Sequence, residues 1–400
     1  MQLQARASQP LALLLVLFMF SGQFTIDRVI PFVGGIEIRW AFLLLAILVA
    51  VVIAPRVRFG IRPFVLQFSV WAICLLMLTF VSTFWASNKV FAVALFPDLI
   101  AVLIQIYLTG LVLCLTDIDS LILLLRKITV SFAVCYSVVV VLTALAYGSR
   151  GSIIIGGPNV ATRVIFFGLV LSMEPRNRSR GVLSIVLTVL MGAAIVLLGS
   201  RGGIVGAAIS LLVYFLLHHR KRLVSARPKM TTFLAVLFSL FVVVFPLRGP
   251  IASVVENRVV RLLLMEQYTA GRDALFRTSW DHIVERPLFG HGLGAYYGFL
   301  GNYPHNIFLE LMIDGGFALV LVIAPLVLAA ISIVWRSSRG SGSPICILPL
   351  YMLVVSSFSG DLYDFRYFFF WLPIAYLEWS SRGRGRGEVR FASPHQQAVA

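Results

Sequence analysis

The sequence predicts an all-α, polytopic helical membrane protein with about twelve transmembrane helices and one large outward loop. Three observations carry that reading. Of the 400 residues, 60% are hydrophobic and only 12% charged, with a mean hydropathy of +0.95, against roughly 25% charged in a soluble domain. Apolar runs near the length needed to cross a bilayer, about 20 residues, recur along the chain. Lys and Arg collect in alternate connections between those runs, as the positive-inside rule requires.

Taken in order, the apolar runs are 10–26, 36–54, 64–85, 91–115, 128–147, 160–174, 182–199, 202–218, 231–247, 306–335, 344–360 and 366–380. The first follows Arg6 but has no small-x-small cleavage site after its core, so it reads as a retained span rather than a signal peptide. With the N-terminus inside, the cytoplasmic connections hold 20 of the 33 Lys and Arg, and six of the other 13 lie in the long 248–304 loop. Both termini are then cytoplasmic and the long loop faces outward. Residues 1–380 form a single integral membrane domain, and the Gly/Arg-rich 381–400 stretch reads as a disordered basic tail.

The formal charge of +16 would suggest nucleic acid in a soluble protein. Here it follows from the basic cytoplasmic connections, and no nucleic-acid partner is expected. Cys74, Cys114, Cys135 and Cys346 sit in or beside apolar runs without metal-ligand spacing, so they read as small core hydrophobes.

The long loop has two stretches of helical periodicity. Residues 251–268 carry Val254, Val255, Val259, Leu262 and Leu263, and residues 272–285 carry Leu275, Phe276, Trp280, Ile283 and Val284. Arg277 and Asp281 lie on the wet side of the second. Pro287 ends it, and Gly290, Gly292 and Gly294 permit a sharp path afterwards. Amphipathic helices lying along the membrane interface fit this pattern.

Charged residues among apolar spans are costly, and so mark candidate sites. Arg201, within Gly-Ser-Arg-Gly-Gly at 199–203, sits at an outer turn where glycines would let the backbone approach a ligand and the guanidinium could grip a phosphate. The competing reading is a turn arginine reaching the interface. Arg163, after Gly156-Gly157-Pro158-Asn159, could join the same anion site, although a packing ion pair competes for it and for Asp98. Arg272 opens a helix after Gly271, where backbone N–H groups favour anions. His305, between Pro304 and Asn306, suits proton transfer near neutrality, with Glu310 near the same helix end; a capping histidine is the alternative. His282 and His291 read as surface or loop residues. No His/Asp/Glu set has ligand spacing, so no metal and no cofactor are expected. P-loop, dinucleotide and nucleophile-elbow motifs are absent.

Three segments resemble the bacterial O-antigen ligase and O-antigen polymerase superfamily. They are Gly-Ser-Arg-Gly-Gly at 199–203, with Ser200 and Arg201; Gly271-Arg272 followed by a tryptophan-bearing helix and Pro-Leu-Phe-Gly-His-Gly-Leu-Gly at 287–294; and His305-Asn306-Ile307-Phe308-Leu309-Glu310-Leu311, leading to Gly315 and Gly316. The resemblance implies an inverting, metal-independent glycosyltransferase in the bacterial inner membrane, acting at the periplasmic face. Its donor would be a glycan on undecaprenyl diphosphate. Its acceptor would be a sugar hydroxyl on lipid A-core, giving lipopolysaccharide, or on a second lipid-linked unit, giving O-antigen or exopolysaccharide polymer. Arg201 and Arg272 would hold the diphosphate and His305 would activate the acceptor. Arg163, Asn306, Glu310 and Ser200 would contact substrate, and polysaccharide export or chain-length proteins are candidate partners. Only one large outer loop is present, which favours the ligase over the polymerase. A lipid-linked glycan flippase is the alternative of another class, and a non-catalytic scaffold another.

The topology is testable with reporter fusions. A reporter active only outside the cytoplasm should be active when joined near residue 260 and inactive near residue 225; the reverse pattern overturns the orientation.

Overall fold

The computed structural model describes residues 2–21, 37–53, 62–147, 157–173, 182–219, 272–338 and 343–388. The first nine helices are α1 (Gln2–Ser21), α2 (Ile38–Ile53), α3 (Pro63–Val81), α4 (Lys89–Ala94), α5 (Phe96–Leu115), α6 (Ile118–Tyr147), α7 (Pro158–Ser172), α8 (Val182–Leu198) and α9 (Arg201–His219). After them come α10 (Arg272–Glu285), α11 (Ala295–Leu300), α12 (Ile307–Ser338), α13 (Leu348–Ser356) and α14 (Arg366–Glu388). Short 3-10 turns, Ser82–Trp85 and Pro344–Ile347, follow α3 and precede α13.

This is an all-α, multi-spanning membrane architecture. Among the described residues, Pro63–Trp85, Lys89–Leu115, Ile118–Ala144 and Ile307–Ser338 are long and apolar enough to cross a bilayer. Gln9–Ser21, Ile38–Ile53, Pro158–Ser172, Ile185–Leu198, Arg201–Leu217 and Pro344–Ser356 are apolar but shorter. At 1.5 Å per residue, a 15-residue helix such as α7 reaches only about 22 Å, against a hydrocarbon core of about 30 Å. The ninth expected run, 231–247, and the 251–268 helix lie outside the described residues, so the figure of twelve spans remains an expectation. Leu44, Leu48 and Val52 on α2, and Leu321 and Leu328 on α12, stay exposed, the disposition expected of side chains that face lipid rather than water.

Several boundaries move for local reasons. Helix α6 starts at Ile118 rather than 128, because the Asp117 carboxylate accepts the Ser120 N–H at 3.1 Å and opens the helix before its apolar part begins. The 91–115 run divides into α4 and α5. Asn88 caps α4 by accepting from Val90 and Phe91, and Pro97 lies in the first turn of α5. Helix α14 continues past residue 380 to Glu388, with Arg382 paired to Glu378 at 2.5 Å.

The core is aromatic where α7, α13 and α14 meet: Phe167 packs on Tyr351, Tyr367 and Trp371, and Phe166 stacks on Tyr351 at 4.0 Å. A smaller cluster, built on Ile283, Ala295, Tyr296 and Ile313, joins α10 and α11 to the start of α12.

Helix α12 breaks at Gly316, whose φ of 63° and ψ of −156° are not helical and lie in a region essentially open only to glycine. The strip at 287–294 fills that break. Phe317 and Ala318 donate N–H bonds to the carbonyls of Pro287 and Leu288 at 2.8 and 3.1 Å, while His291 and Gly292 donate to those of Ile313 and Asp314 at 2.7 and 2.8 Å. A Cβ on Gly316 would come within 2.5 Å of the Pro287 carbonyl oxygen, and one on Gly290 within 2.5 Å of the Ile313 carbonyl oxygen. The other side of the strip is held by the Ser82–Trp85 turn and the residues after it, where Trp85 Nε1 donates to the Phe289 carbonyl at 3.0 Å and Ser87 N–H to the His291 carbonyl at 2.9 Å.

Gly316→Ala and Gly290→Ala should therefore each lower the detergent-solubilised melting midpoint, with a backbone cost of about 1–3 kcal/mol before the clash is added. Gly298→Ala is the control, because nothing lies within 4 Å of a Cβ there. Equal midpoints for all three variants would mean that the docked strip contributes nothing to stability.

Candidate functional site

The connection between α13 and α14, residues 357–366, ties together the helix ends that carry the sequence-predicted residues. On one side its Ser359 receives the Asn159 amide through its hydroxyl and the Arg163 guanidinium through its carbonyl. Asn159 in turn accepts from the Ser200 hydroxyl at 2.7 Å. On the other side the Leu362 N–H donates to Glu310 Oε1 at 3.1 Å. The start of α9, with Ser200 and Arg201, and the start of α12, with His305 to Glu310, are thereby fixed to one short segment at one end of the bundle.

Arg201 is the first residue of α9 and is half-buried. Ser200 precedes it as the cap, its hydroxyl accepting the Gly203 N–H at 3.2 Å. The glycines after Arg201 do not open a path for a ligand, contrary to the sequence-based expectation. A Cβ on Gly202 would meet Phe358 Cβ at 2.7 Å, one on Gly203 Thr162 Cγ2 at 2.5 Å, and one on Gly206 Val355 Cγ2 at 2.4 Å. They let α9 pack closely on α7 and α13, which is the use small residues have between membrane helices.

Arg163 is completely buried. It pairs with Asp364 at 2.6 Å, so the packing ion pair, and not an open anion site, is the geometry observed. Asp364 also meets Arg366 Nη1 at 3.3 Å. Although burial opposes it, the two guanidiniums hold the Asp364 carboxyl below the usual carboxylate range. Asp361 shows the opposite shift: loss of hydration and then the neighbouring Asp364 charge push it up to about 7.

His305 has a φ of 56°, and among the described residues no other non-glycine backbone is left-handed. Its half-buried ring lies 4.0 Å from the Tyr303 ring. Asn306 accepts the Phe308 and Leu309 N–H groups at 2.9 and 3.3 Å, capping α12. The left-handed residue followed by a capping asparagine turns the chain sharply from the 301–304 segment into the helix. Glu310, 3% exposed, acts as a clamp on the 357–366 segment, and its Oε2 has no hydrogen-bond partner among the described residues. Asp314 plays the same part for the strip, accepting the Gly294 N–H at 3.1 Å. Ser200, Asn306 and Glu310 are thus placed to hold backbone at the observed geometry, and Arg201 and His305 stand at the rims of what they hold. Arg272 is the first residue of α10; the course of its side chain lies outside the described residues.

The charge network extends to Arg39 and Asp98, paired at 3.2 Å. The Arg39 and Arg366 guanidiniums both approach the Tyr363 ring, 4.6 and 3.9 Å from its centre. A cavity of about 540 Å³ opens beside this pair, lined by Glu37, Arg39, Trp40, Pro97 and Asp98 among others. Ser359, Asp361, Asp364, Arg366 and Arg39 were not singled out from the sequence. The available signal was the run of charge in Ser359-Gly360-Asp361-Leu362-Tyr363-Asp364-Phe365-Arg366, set between two apolar stretches.

The second amphipathic helix of the loop forms as α10, but its apolar residues divide between two faces. Ile283 is buried in the small core, whereas Phe276, Trp280 and Val284 are exposed and form an outward stripe at i, i+4 and i+8. At the end of α10 the side-chain ligand atoms of His282, Glu285 and His291 lie within 4.8 Å of one another. The expectation that no such set exists is corrected here: the turn after α10 closes a spacing that looks irregular in the sequence.

Residues 186–324, 139 of the 400, match the family model described as O-Antigen ligase. The match spans most of α8, all of α9, α10 and α11 and the first half of α12, and so contains Arg201, Arg272 and His305. It links the chain to that superfamily and to membrane glycan handling over this part of its length. No curated protein and no solved structure gives a significant match.

Removing Asp364 leaves the buried Arg163 guanidinium without its countercharge, so Asp364→Ala should cost about 3–5 kcal/mol of stability, read as a large fall in melting midpoint. Arg163→Met with Asp364→Ala should lose less than the two singles combined. Asp361 binds its proton more tightly in the folded state than in the unfolded chain. Its contribution is therefore full below the ordinary carboxylate range and is lost as pH rises towards about 7. Asp361→Asn should flatten the fall in melting midpoint between about pH 4 and pH 7; an unchanged pH profile would contradict this assignment.

Proposed function

We propose that the chain is a membrane glycan transferase of the O-antigen ligase type, moving a glycan from undecaprenyl diphosphate to an acceptor sugar hydroxyl at the periplasmic face of the bacterial inner membrane. The observation that supports this most is the coincidence of the family match with the anchored helix ends: Arg201 and His305 both fall within 186–324, and both helix starts are fixed to the 357–366 segment.

In this reading the acceptor hydroxyl attacks the anomeric carbon from the face opposite the diphosphate. The new C–O bond forms as the bond to the diphosphate oxygen breaks, which inverts the configuration. His305 takes the hydroxyl proton, the task for which an imidazole is suited near neutral pH. Arg201 and Arg272 hold the diphosphate and stabilise the charge that develops on it, the electrostatic role a metal ion fills in other transferases. Arg163 is excluded from that contact by its own pairing with Asp364. The exposed Phe276, Trp280 and Val284 stripe of α10 would rest on the membrane interface, where the lipid-linked donor arrives.

The same chemistry serves a ligase, whose acceptor is lipid A-core, and a polymerase, whose acceptor is a second lipid-linked unit. The glycan profile of a deletion strain separates them. Lipid A-core lacking long chains, with polymer accumulating on the lipid carrier, identifies a ligase. Loss of secreted polymer, or core capped by single repeats, identifies a polymerase. An unchanged profile overturns the proposal.

Arg201→Ala, Arg272→Ala and His305→Ala should each abolish transfer at normal membrane levels. Arg201→Lys should also fail if the diphosphate is held by two parallel N–H bonds, because an ammonium offers only a point charge. Full complementation by the three alanine variants would remove these residues from the reaction.

A further inference from the structure

We propose that His282, Glu285 and His291 form a binding site for a divalent transition metal of the Zn²⁺ class, apart from the transfer site and closing the end of α10 onto the glycine-rich strip. His282 Nδ1 and Glu285 Oε2 are 3.0 Å apart, and His291 Nε2 and Glu285 Oε2 are 3.7 Å apart. All three ligand atoms lie within 4.8 Å of one another. Zn²⁺ bonds of about 2.0–2.2 Å in a tetrahedron separate neighbouring ligand atoms by about 3.3–3.6 Å, so the observed spacings require only small side-chain adjustments.

The rings are held from outside the set as well. The His282 ring stacks on Phe299 at 3.8 Å, and the His291 ring meets the same phenyl edge-on at 4.9 Å. His291 is 6% exposed, and the turn that brings it back runs through Gly290, whose φ is 63°. The site is thus pre-formed on two buried or half-buried rings, with Glu285 exposed at its edge.

In the metal-free arrangement His282 Nδ1 bonds to Glu285 and His291 Nε2 bonds to the His282 carbonyl at 2.8 Å. Metal binding would place a lone pair from each imidazole on the ion, with any N–H proton at those atoms moving to the other ring nitrogen or to solvent. Glu285 supplies the charged oxygen, and either water or the His282 carbonyl completes the tetrahedron. Two imidazoles and one carboxylate select a borderline transition metal over Ca²⁺ or Mg²⁺, which prefer oxygen donors. The bound ion would lock the last turn of α10 against His291, and through it against the break in α12.

The test is calorimetric titration of Zn²⁺ into the purified full-length protein, with any affinity tag removed, paired with Co²⁺ absorption as a reporter of tetrahedral geometry. One equivalent should bind, with a tetrahedral Co²⁺ spectrum and a raised melting midpoint. Glu285→Gln, at an exposed position that leaves the packed rings in place, should weaken binding by at least about tenfold, and His282→Gln with His291→Gln should remove it. A His218→Ala, His219→Ala variant should bind as the parent does. Absence of stoichiometric binding, or binding unchanged by Glu285→Gln and the double histidine variant, would overturn the site.

Discussion

A helix that breaks inside a membrane bundle leaves backbone amides and carbonyls that neither lipid nor its own turns can satisfy. In α12 that debt falls at Gly316, and the 287–294 strip meets it with four backbone hydrogen bonds. Much of this end of the bundle depends on this docking. The strip places His291 beside the end of α10, leads into α11, and is held to Asp314 through Gly294. Because the contact is backbone to backbone, it demands glycine at Gly290 and Gly316, which is why two glycine-bearing segments well apart in sequence behave as one structural unit.

The second support is electrostatic. Three guanidiniums, Arg39, Arg163 and Arg366, converge on Asp98, Asp364 and the Tyr363 ring. Buried pairs of this kind add little net stability by comparison with apolar packing, but they are costly to break singly. They therefore act as fixings: any movement of the 357–366 segment would uncouple several charges at once. The capping and clamping contacts of Ser200, Asn306 and Glu310 connect Arg201 and His305 to that rigid segment.

The all-α membrane class was legible because hydropathy and charge asymmetry are sums over many residues, and local exceptions do not disturb them. The helix at 272–285 was legible from its period. The division of its apolar residues between Ile283 inward and Trp280 outward was not, since periodicity does not say which partner covers each side. Arg201 and His305 stood out because each lies in a short polar motif between apolar runs. Arg163 and Glu310 have the same appearance in sequence, and only the partners at Asp364 and Leu362, far along the chain, reveal that they are internal fixings. The Gly202 and Gly203 positions were misread for a related reason: a glycine reports close approach without saying whether a ligand or another helix approaches. The metal-ligand spacing at 282–291 was hidden by a turn that sequence distance does not measure.

The left-handed backbone of His305 narrows the evolutionary exits from that position. Among ordinary residues only glycine, asparagine and aspartate, with histidine itself, enter this conformation readily, whereas a β-branched or bulky side chain would reshape the entry to α12. A lineage that abandoned the imidazole would therefore be channelled towards small or amide side chains while keeping the same loop. Such a descendant would preserve the turn into α12 without the imidazole, and asparagine at this position would mark it.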